Sequence, residues 1–235
     1  MSQIVDLTGT AIGRGGTQGM WNSAAPTGQL IVIHDTESWT DSAALNWMRS
    51  QQNGSYHRLY GLDGKTTVMV PYHRQSWSAM TTGNRIGYHL CATGYASWRL
   101  ALRRRLARAG SAPKLYDGIC SAPATSRRRS GSTRWADYPQ MLDAMARDIA
   151  ELSVAKNIPL IWLTPAQIRA GHKGLCGHAE ISKAFGETDH TDPGTGFPRT
   201  DVIGRARRRV NPNLLGMTDP ELDEFTTLMR QLGES

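Results

Sequence analysis

The chain lacks three features that would each assign it to a class of protein. It has only three cysteines in 235 residues (Cys91, Cys120 and Cys176), and this odd, sparse set excludes a disulfide framework. No run of residues approaches the ~18 to 20 apolar positions of a membrane span. The first residues, Met1–Asp6, do not show the basic and then apolar pattern of a secretory signal. We therefore expect a protein made in a cytoplasm, without a signal peptide and without a membrane span.

The remaining composition is that of a globular protein: 39% of residues are hydrophobic and 20% are charged. A chain of this length can bury a core, and it suits one domain with additions better than two full domains. Residues 1–28 are rich in Gly, Thr and Ser, and they predict an irregular lead-in. Residues 29–212 predict the main domain, and residues 213–235 a helical tail, because Thr218-Asp219-Pro220-Glu221 fits a capping box.

Positive charge is concentrated in one stretch. Ten Lys and Arg residues lie within residues 99–134, against a single acidic residue, Asp117, so the rest of the chain is close to neutral. Residues 98–109 predict a basic helix, and the Gly, Ser and Pro residues up to 133 predict a long loop. Such a basic insert favours a polyanionic partner, whether nucleic acid, an anionic cell wall or lipid headgroups, but it is also typical of a solvated surface segment.

Short β-branched runs alternate with segments of helical period, which predicts an α/β fold with a central mixed β-sheet flanked by helices. The strongest helical signal is the spacing of Tyr138, Leu142, Met145, Ile149 and Leu152. The other predicted elements are a strand at 30–33, a helix capped by Thr40 or Asp41, a hairpin over 55–70 that turns at Asp63-Gly64, and strands at 86–91 and 160–163. Residues 175–200 predict a long irregular segment of functional importance.

The predicted functional site consists of His34, His178 and Asp192. His34 ends the apolar run Ile31-Val32-Ile33, and the other two follow in Gly177-His178 and Thr191-Asp192-Pro193. Two imidazoles and one carboxylate form a three-ligand zinc site with an open fourth position, where water becomes a nucleophile near neutral pH. The sequence therefore predicts a zinc hydrolase. The rival ligands are Cys176, Asp189 and His172, because each lies close to a predicted ligand in the sequence.

Several separated motifs, which occur in a fixed order between Gln29 and Arg199, resemble those of a known enzyme family. These are Ile31–Thr36; Ser55-Tyr56-His57 followed by Asp63-Gly64; Ser76-Trp77-Ser78-Ala79 followed by Asn84, Ile86 and Gly87; and Gly177-His178 followed by Thr191-Asp192-Pro193-Gly194 and Phe197-Pro198. In this respect the chain resembles the zinc-dependent N-acetylmuramoyl-L-alanine amidases of the type-2 amidase and peptidoglycan-recognition-protein superfamily, and phage endolysins in particular.

The resemblance implies a fold with a zinc groove on the surface of the sheet, within a catalytic domain spanning 29–212. It implies Zn²⁺ as cofactor and His34, His178 and Asp192 as its ligands. Tyr56 matches a catalytic tyrosine of some phage members, and His190 occupies a slot where a Lys or His stabilises the oxyanion. The residues that it assigns to substrate binding are His57, Trp77, Asn84 and His89.

The sequence departs from the family pattern at two positions. Ser78 stands where many members have a histidine after the tryptophan. His89 stands where many members have a glutamate that acts as general base. A histidine can also accept a proton, so the identity of the general base stays open, and the tyrosine-based variant of the family fits this chain better.

The resemblance implies that the protein hydrolyses the amide between the lactyl group of N-acetylmuramic acid and L-alanine of the stem peptide, for host lysis by a phage. Peptidoglycan is then the partner, anionic wall polymers would bind the basic insert, and no nucleic acid is expected. Release through a holin-type pore would bring the enzyme to the wall. The alternatives are a recognition module that binds peptidoglycan without cutting it, a zinc peptidase that cuts within the stem peptide, and a nucleic-acid-binding protein that uses the Arg-rich insert.

Overall fold

The computed structural model describes residues 3–8, 21–22, 24–51, 54–95 and 135–211, together with Glu221 and Glu224. Within these residues the strands are β1 (Ile4–Asp6), β2 (Trp21–Asn22), β3 (Leu30–Asp35), β4 (Arg58–Tyr60), β5 (Thr66–Val68), β6 (Gln75–Ser76), β7 (Gly87–Ala92) and β8 (Gly174–Gly177). The helices are α1 (Asp41–Gln51), α2 (Met80–Ile86), α3 (Pro139–Lys156), α4 (Pro165–Arg169), α5 (His178–Phe185) and α6 (Arg199–Val210).

A mixed sheet organises the molecule, with strand order β1-β5-β4-β7-β3-β8. β3 lies between β7 and β8 and pairs with both in parallel, whereas β4 and β5 form the predicted antiparallel hairpin. A separate two-stranded pair joins β2 to β6. The predicted α/β fold, with a central mixed sheet flanked by helices, is therefore confirmed.

Helices cover both faces of the sheet, which is why β3 is a continuous apolar run before His34. Side chains alternate between the faces of a strand. Ile31 and Ile33 pack into a core formed with α3 and α6. Leu30 and Val32 pack on the other face, in a cluster to which α2 and α5 contribute. His34 follows Val32 by two residues, so it lies on this second face.

The helix predicted from the spacing of Tyr138 to Leu152 is confirmed as α3. It begins with proline at its first position, where the missing N–H costs nothing. It ends at Asn157, which adopts the left-handed conformation, two residues before Pro159. The buried face packs against the sheet: Met141, Leu142, Met145, Ile149 and Leu152 are each at most 2% exposed.

Three local predictions were wrong. Residues 160–163 do not form a strand, since a single bridge joins Trp162 to Leu175. The lead-in is not irregular throughout, because β1 pairs with β5 and β2 pairs with β6. The segment after Leu175 is irregular only in its second half, because β8 and α5 form its first half. Strands β1, β2 and β8 have 3, 2 and 4 residues, too few to show a period.

Other predictions lie outside the described residues. The basic insert (99–134) is outside them entirely, and so is most of the C-terminal tail. In the tail, Glu221 and Glu224 are helical and exposed. In the part of the chain that the structure describes, no helix combines the length and apolar character needed to cross a membrane.

Candidate functional site

The parallel pairing of β3 with β8 brings two of the predicted ligands together. Ile33 is in register with Gly177, so the next residues, His34 within β3 and His178 directly after β8, lie side by side. Their ring centroids lie 4.8 Å apart. His178 is also the first residue of α5. The sheet therefore fixes one imidazole, and a strand-to-helix junction fixes the other.

Asp192 reaches the same point from the loop that follows α5. Its backbone carbonyl accepts a hydrogen bond from the N–H of Ala179 at 3.0 Å. The loop passes so close to β8 that a Cβ on Gly177 would lie 2.7 Å from Pro193 Cδ. Only glycine fits at this position. The carboxylate is thereby tied to the start of the helix that carries His178.

The carboxylate of Asp192 lies close to the imidazoles of both His34 and His178. Oδ2 lies 3.0 Å from Nδ1 of His34, and Oδ1 lies 3.2 Å from Nδ1 of His178. The side chains of the three residues are only 1–7% exposed. One donor atom from each residue falls within 4.8 Å of the others, which makes this group able to hold a metal ion. Nε2 of His178 is buried and has no hydrogen-bond partner among the described residues.

The rival ligands are not part of this group. Cys176 is fully buried in the apolar cluster with Leu30 and Val32, and burial raises the pKa of its thiol well above the usual value. It therefore acts as a small apolar side chain. Asp189 and His172 are exposed to solvent. The described residues thus single out the predicted set of two imidazoles and one carboxylate.

Protonation at neutral pH suits metal binding, which requires a neutral imidazole and an ionised carboxylate. Burial lowers the pKa of His34 to about 4, although the nearby negative charge of Asp192 acts in the opposite direction. Burial alone would raise the pKa of Asp192. The hydrogen bonds from His178 and His190, together with the nearby ring of His34, outweigh it and hold that pKa well below the usual value.

Tyr56 and His190 both lie against the ligands. The ring of Tyr56 is 5.1 Å from that of His34, and burial, followed by the nearby acidic groups Cys91 and Asp192, raises the pKa of its hydroxyl well above 10. The hydroxyl is therefore a proton donor at neutral pH. His190 stacks on His178 with ring centroids 4.5 Å apart. Its side chain is 59% exposed, and Nδ1 lies 3.5 Å from Asp192.

A sequence model of the N-acetylmuramoyl-L-alanine amidases (Amidase_2) matches residues 24–195, which include the three predicted ligands, Tyr56 and His190. The chain belongs to this amidase family. No curated sequence matches the chain significantly.

Two solved structures, a hydrolase and an amidase, have the same fold, and an endolysin was also matched at a lower score. Staphylococcus aureus hydrolase AmiA is 16% identical, with a TM-score of 0.53 over 88% of this chain and 83% of that one. N-acetylmuramoyl-L-alanine amidase LysC from Clostridium intestinale is 14% identical, with a TM-score of 0.50 over 90% of this chain and 100% of that one. The Ph2119 endolysin of a Thermus scotoductus bacteriophage is 16% identical, with a TM-score of 0.45 over 87% of this chain and 99% of that one.

Two of the predicted substrate-binding residues of the amidase lie behind the ligands. His57 and His89 are both fully buried, and every ring nitrogen of both is within hydrogen-bond distance of another group. In this structure both rings therefore contact protein groups and not the surface, and their role in substrate binding stays a prediction. The family pattern aligned their positions with the site, but it carries no information about their depth.

The other two predicted substrate residues of the amidase lie nearer the surface. Trp77 is 36% exposed, whereas Asn84 is 9% exposed. The side-chain oxygen of Asn84 accepts the backbone N–H groups of Ser78 and Ala79, each at 2.8 Å. Asn84 therefore fixes the turn that directly follows Trp77. Ser78, which departs from the family pattern, uses its hydroxyl to donate to the carbonyl of Ser55.

Glu180 positions one of the predicted ligands, and it was not predicted from the sequence. Glu180 accepts the backbone N–H of Gly177 at 2.7 Å, which ties down the chain just before His178. A carboxylate in the first turn also suits the positive end of a helix dipole. The signal was present, because Glu180 follows Gly177 by three residues, as in a capping box.

The buried histidines predict that the amidase loses stability in mild acid. Burial lowers the pKa of His34 to about 4 and that of His57 to about 3, whereas a histidine in the unfolded chain titrates at about 6.5. The unfolded state therefore binds more protons as the pH falls from about 6.5 towards 4. For the metal-free protein we expect the free energy of unfolding to fall by up to ~1.4 kcal/mol per pH unit for each such histidine.

Urea denaturation of the chelator-treated protein at several pH values measures this slope. His57→Gln should reduce the slope by the contribution of one histidine, and His172→Gln, at an exposed position, should leave it unchanged. A free energy of unfolding that stays constant between pH 6.5 and 4.5 contradicts the neutral burial of these imidazoles.

Proposed function

We propose that the amidase holds a zinc ion with His34, His178 and Asp192, and uses it to hydrolyse the amide between the lactyl group of N-acetylmuramic acid and L-alanine of the stem peptide. The observation that carries the proposal is the convergence of Nδ1 of His34 and Nδ1 of His178 on one buried carboxylate, 3.0 and 3.2 Å away. Among the described residues, the ion-pair partners of Asp192 are all histidines. A buried anion with neutral imidazoles around it fits a bound cation.

The donor set favours a catalytic zinc site over a structural one. Structural sites are typically closed by four protein ligands, whereas catalytic sites have three and keep one position open. A bound zinc ion supplies Lewis acidity, which activates water near neutral pH and polarises the scissile carbonyl. The complete set of three ligands also favours an enzyme over a recognition module that binds peptidoglycan without cutting it.

We assign the catalytic roles to Tyr56 and His190, because both contact the ligands. The hydroxyl of Tyr56 keeps its proton, since the pKa of this group is raised. It can therefore donate a hydrogen bond to the oxygen that becomes negative during attack on the carbonyl. The hydrogen bond to Asp192 raises the pKa of His190, which favours its cationic form beside the substrate. Both contributions are electrostatic, and a preorganised donor is worth most where little water is present.

Substrate contacts in this proposal come from the surface next to the ligands. Trp77 is the exposed aromatic of the predicted set, and its flat apolar ring suits contact with a sugar or peptide segment of the wall. Asn84 supports it by fixing the turn after Trp77. His89 does not act as the general base in this proposal, because it is fully buried.

We further propose that the enzyme acts on the cell wall in phage-induced host lysis. Support comes from the resemblance of its ordered motifs to those of phage endolysins. In this proposal residues 29–212 form the catalytic domain, and residues 213–235 form a helical addition. A holin-type pore would give the enzyme access to the wall, and the basic insert (99–134) would hold it on anionic wall polymers.

Digestion of purified peptidoglycan tests the function. We expect the zinc-loaded enzyme to release stem peptides with an unblocked N-terminal L-alanine and to leave the glycan strands intact. Removal of the metal with a chelator should abolish release, and added zinc should restore it. Mass spectrometry of the soluble products decides the outcome. Cuts within the stem peptide would instead identify a zinc peptidase, and binding to the wall without products would identify a recognition module.

The two catalytic assignments predict a loss of rate without a loss of metal. Tyr56→Phe and His190→Ala should each lower kcat by about 10²- to 10³-fold, the usual effect of removing one oxyanion donor. Zinc content should stay at one ion per chain in both variants, because neither residue is a ligand. His172→Ala removes an exposed histidine and serves as the control. A variant that retains full kcat would remove its residue from the mechanism.

Because the basic insert is proposed to bind anionic wall polymers, we expect retention of the enzyme on cell walls to depend on salt. Replacing Arg127, Arg128 and Arg129 with Gln removes three positive charges, so the fraction of enzyme bound to purified walls should fall most at low salt, where screening is weakest. Co-sedimentation at increasing salt concentration measures it. Equal binding of variant and wild type at every salt concentration would leave the insert without this role.

A further inference from the structure

The buried imidazoles of His34, His89 and His57 form a row that begins at His34, one of the three proposed ligands. Nε2 of His34 lies 2.9 Å from Nδ1 of His89, and the rings of His89 and His57 are nearly parallel, at an angle of 8° and with centroids 6.0 Å apart. All three side chains are at most 1% exposed. Water is therefore not available to satisfy any of the ring nitrogens, and each must find its partner within the protein.

Backbone groups fix the position of the proton on two of the three rings. The carbonyl of Arg74 lies 2.9 Å from Nε2 of His57, and a carbonyl only accepts, so this nitrogen carries the proton. Nδ1 of His57 then accepts the backbone N–H of His89 at 2.9 Å. By the same logic, Nε2 of His89 carries the proton, because it lies 3.2 Å from the carbonyl of Gly83.

The proton on His34 follows from that on His89. Since Nε2 of neutral His89 carries the proton, Nδ1 of this ring holds a lone pair that faces Nε2 of His34. The hydrogen bond between these two atoms requires the proton on Nε2 of His34. Nδ1 of His34 then holds a lone pair, and it is the atom that lies 3.0 Å from Oδ2 of Asp192. Nδ1 of His34 and Oδ2 of Asp192, which each carry a lone pair, therefore face each other at the site proposed for the metal.

We propose that His89 is a positioning residue, which holds His34 in the tautomer and orientation that present Nδ1 to the zinc ion. The inference rests on the proposed zinc site. Metal-bound histidines usually donate their second ring N–H to an oxygen acceptor that orients the ring. Here the acceptor is a neutral imidazole, which is itself held in one tautomer by the carbonyl of Gly83.

The position of β7 and the small residue Gly87 leave space for the ring of His89. β7 runs parallel to β3, with His89 in register with Val32, so its side chain lies on the same face of the sheet as His34. At Gly87 a Cβ would lie 2.8 Å from Cγ2 of Val32 and 3.1 Å from Nε2 of His89. A larger residue at this position would therefore press on the imidazole. Both ring nitrogens of His89 have partners within the protein, so this inference gives it a positioning role and not that of the general base.

Zinc affinity of His89 variants tests the proposal. His89→Leu leaves the N–H of His34 without an acceptor, so zinc affinity should fall by about 10- to 100-fold, the usual effect of losing such a partner. His89→Gln supplies a carbonyl oxygen for His34 and an NH₂ group for Gly83, so it should restore affinity to within about threefold of wild type, on the order of 0.7 kcal/mol. Competition with a chelating dye measures these affinities in the full chain, and His172→Leu, at an exposed position, is the control.

The outcomes separate this inference from the proposed function. If the wild type binds no zinc, both proposals fail. If the wild type binds zinc and a folded His89→Leu variant binds it equally well, only the role of His89 fails. Equal losses in His89→Leu and His89→Gln would also contradict it, because a purely steric effect would then explain both.

A second measurement does not depend on the folding of any variant. Nitrogen-15 NMR of the imidazoles in the zinc-loaded wild type reports which ring nitrogen carries the proton. We expect the proton of His34 on Nε2, hydrogen-bonded to His89, and none on Nδ1. A proton on Nδ1 of His34, with zinc on Nε2, would overturn the proposal.

Discussion

The buried carboxylate of Asp192 is the constraint on which the rest of the site depends. A carboxylate that is 7% exposed loses much of its hydration, and the cost is large unless charge or hydrogen bonds compensate for it. In this fold hydrogen bonds from His178 and His190 supply the compensation, and the ring of His34 lies beside the same carboxylate. Their arrangement around one anion brings strand β3, helix α5 and the loop after it to a single point. The same group of residues is able to hold a metal ion.

The two faces of the sheet differ in composition. On one face, α3 and α6 pack against Ile31 and Ile33 in an apolar core that supplies most of the hydrophobic stabilisation. On the other face, apolar clusters lie on either side of a polar row that contains His34 and His89. Because β3 contributes to both faces, its position is fixed by packing that does not involve the site. The rigidity of the ligands therefore comes from the core behind them, which is how precise catalytic geometry is usually supported.

Much of the fold and the centre of the site could be predicted from the sequence. The strand that ends near His34, the hairpin at Asp63-Gly64 and helix α3 carry strong local signals: a β-branched run, a turn dipeptide and a regular apolar spacing. The three ligands were predicted from residue chemistry and from ordered motifs, and the structure brings them together. These features depend on short-range patterns that a sequence displays directly.

Other features depend on partners that are distant in the sequence, and they were not predictable. Strand β1 has three residues and forms because it pairs with the neighbouring strand β5. The burial of His57 and His89 depends on how β4, β7 and α2 meet, and no local pattern reports depth. The row of imidazoles also depends on two backbone carbonyls, those of Arg74 and Gly83, which any residue would supply. The sequence therefore shows which residues are present at the site, but not which of them face the substrate.

X-ray absorption spectroscopy of the zinc-loaded protein tests the central claim most directly, because it reports the identity and distance of the atoms around the metal. The account predicts two imidazole nitrogens and oxygen ligands at about 2.0–2.2 Å, with no sulfur. Replacing Asp192 with Ala should remove one oxygen from this shell or abolish binding. A sulfur ligand at about 2.3 Å, or a shell with fewer than two imidazoles, would contradict the assignment of His34, His178 and Asp192 as the metal site.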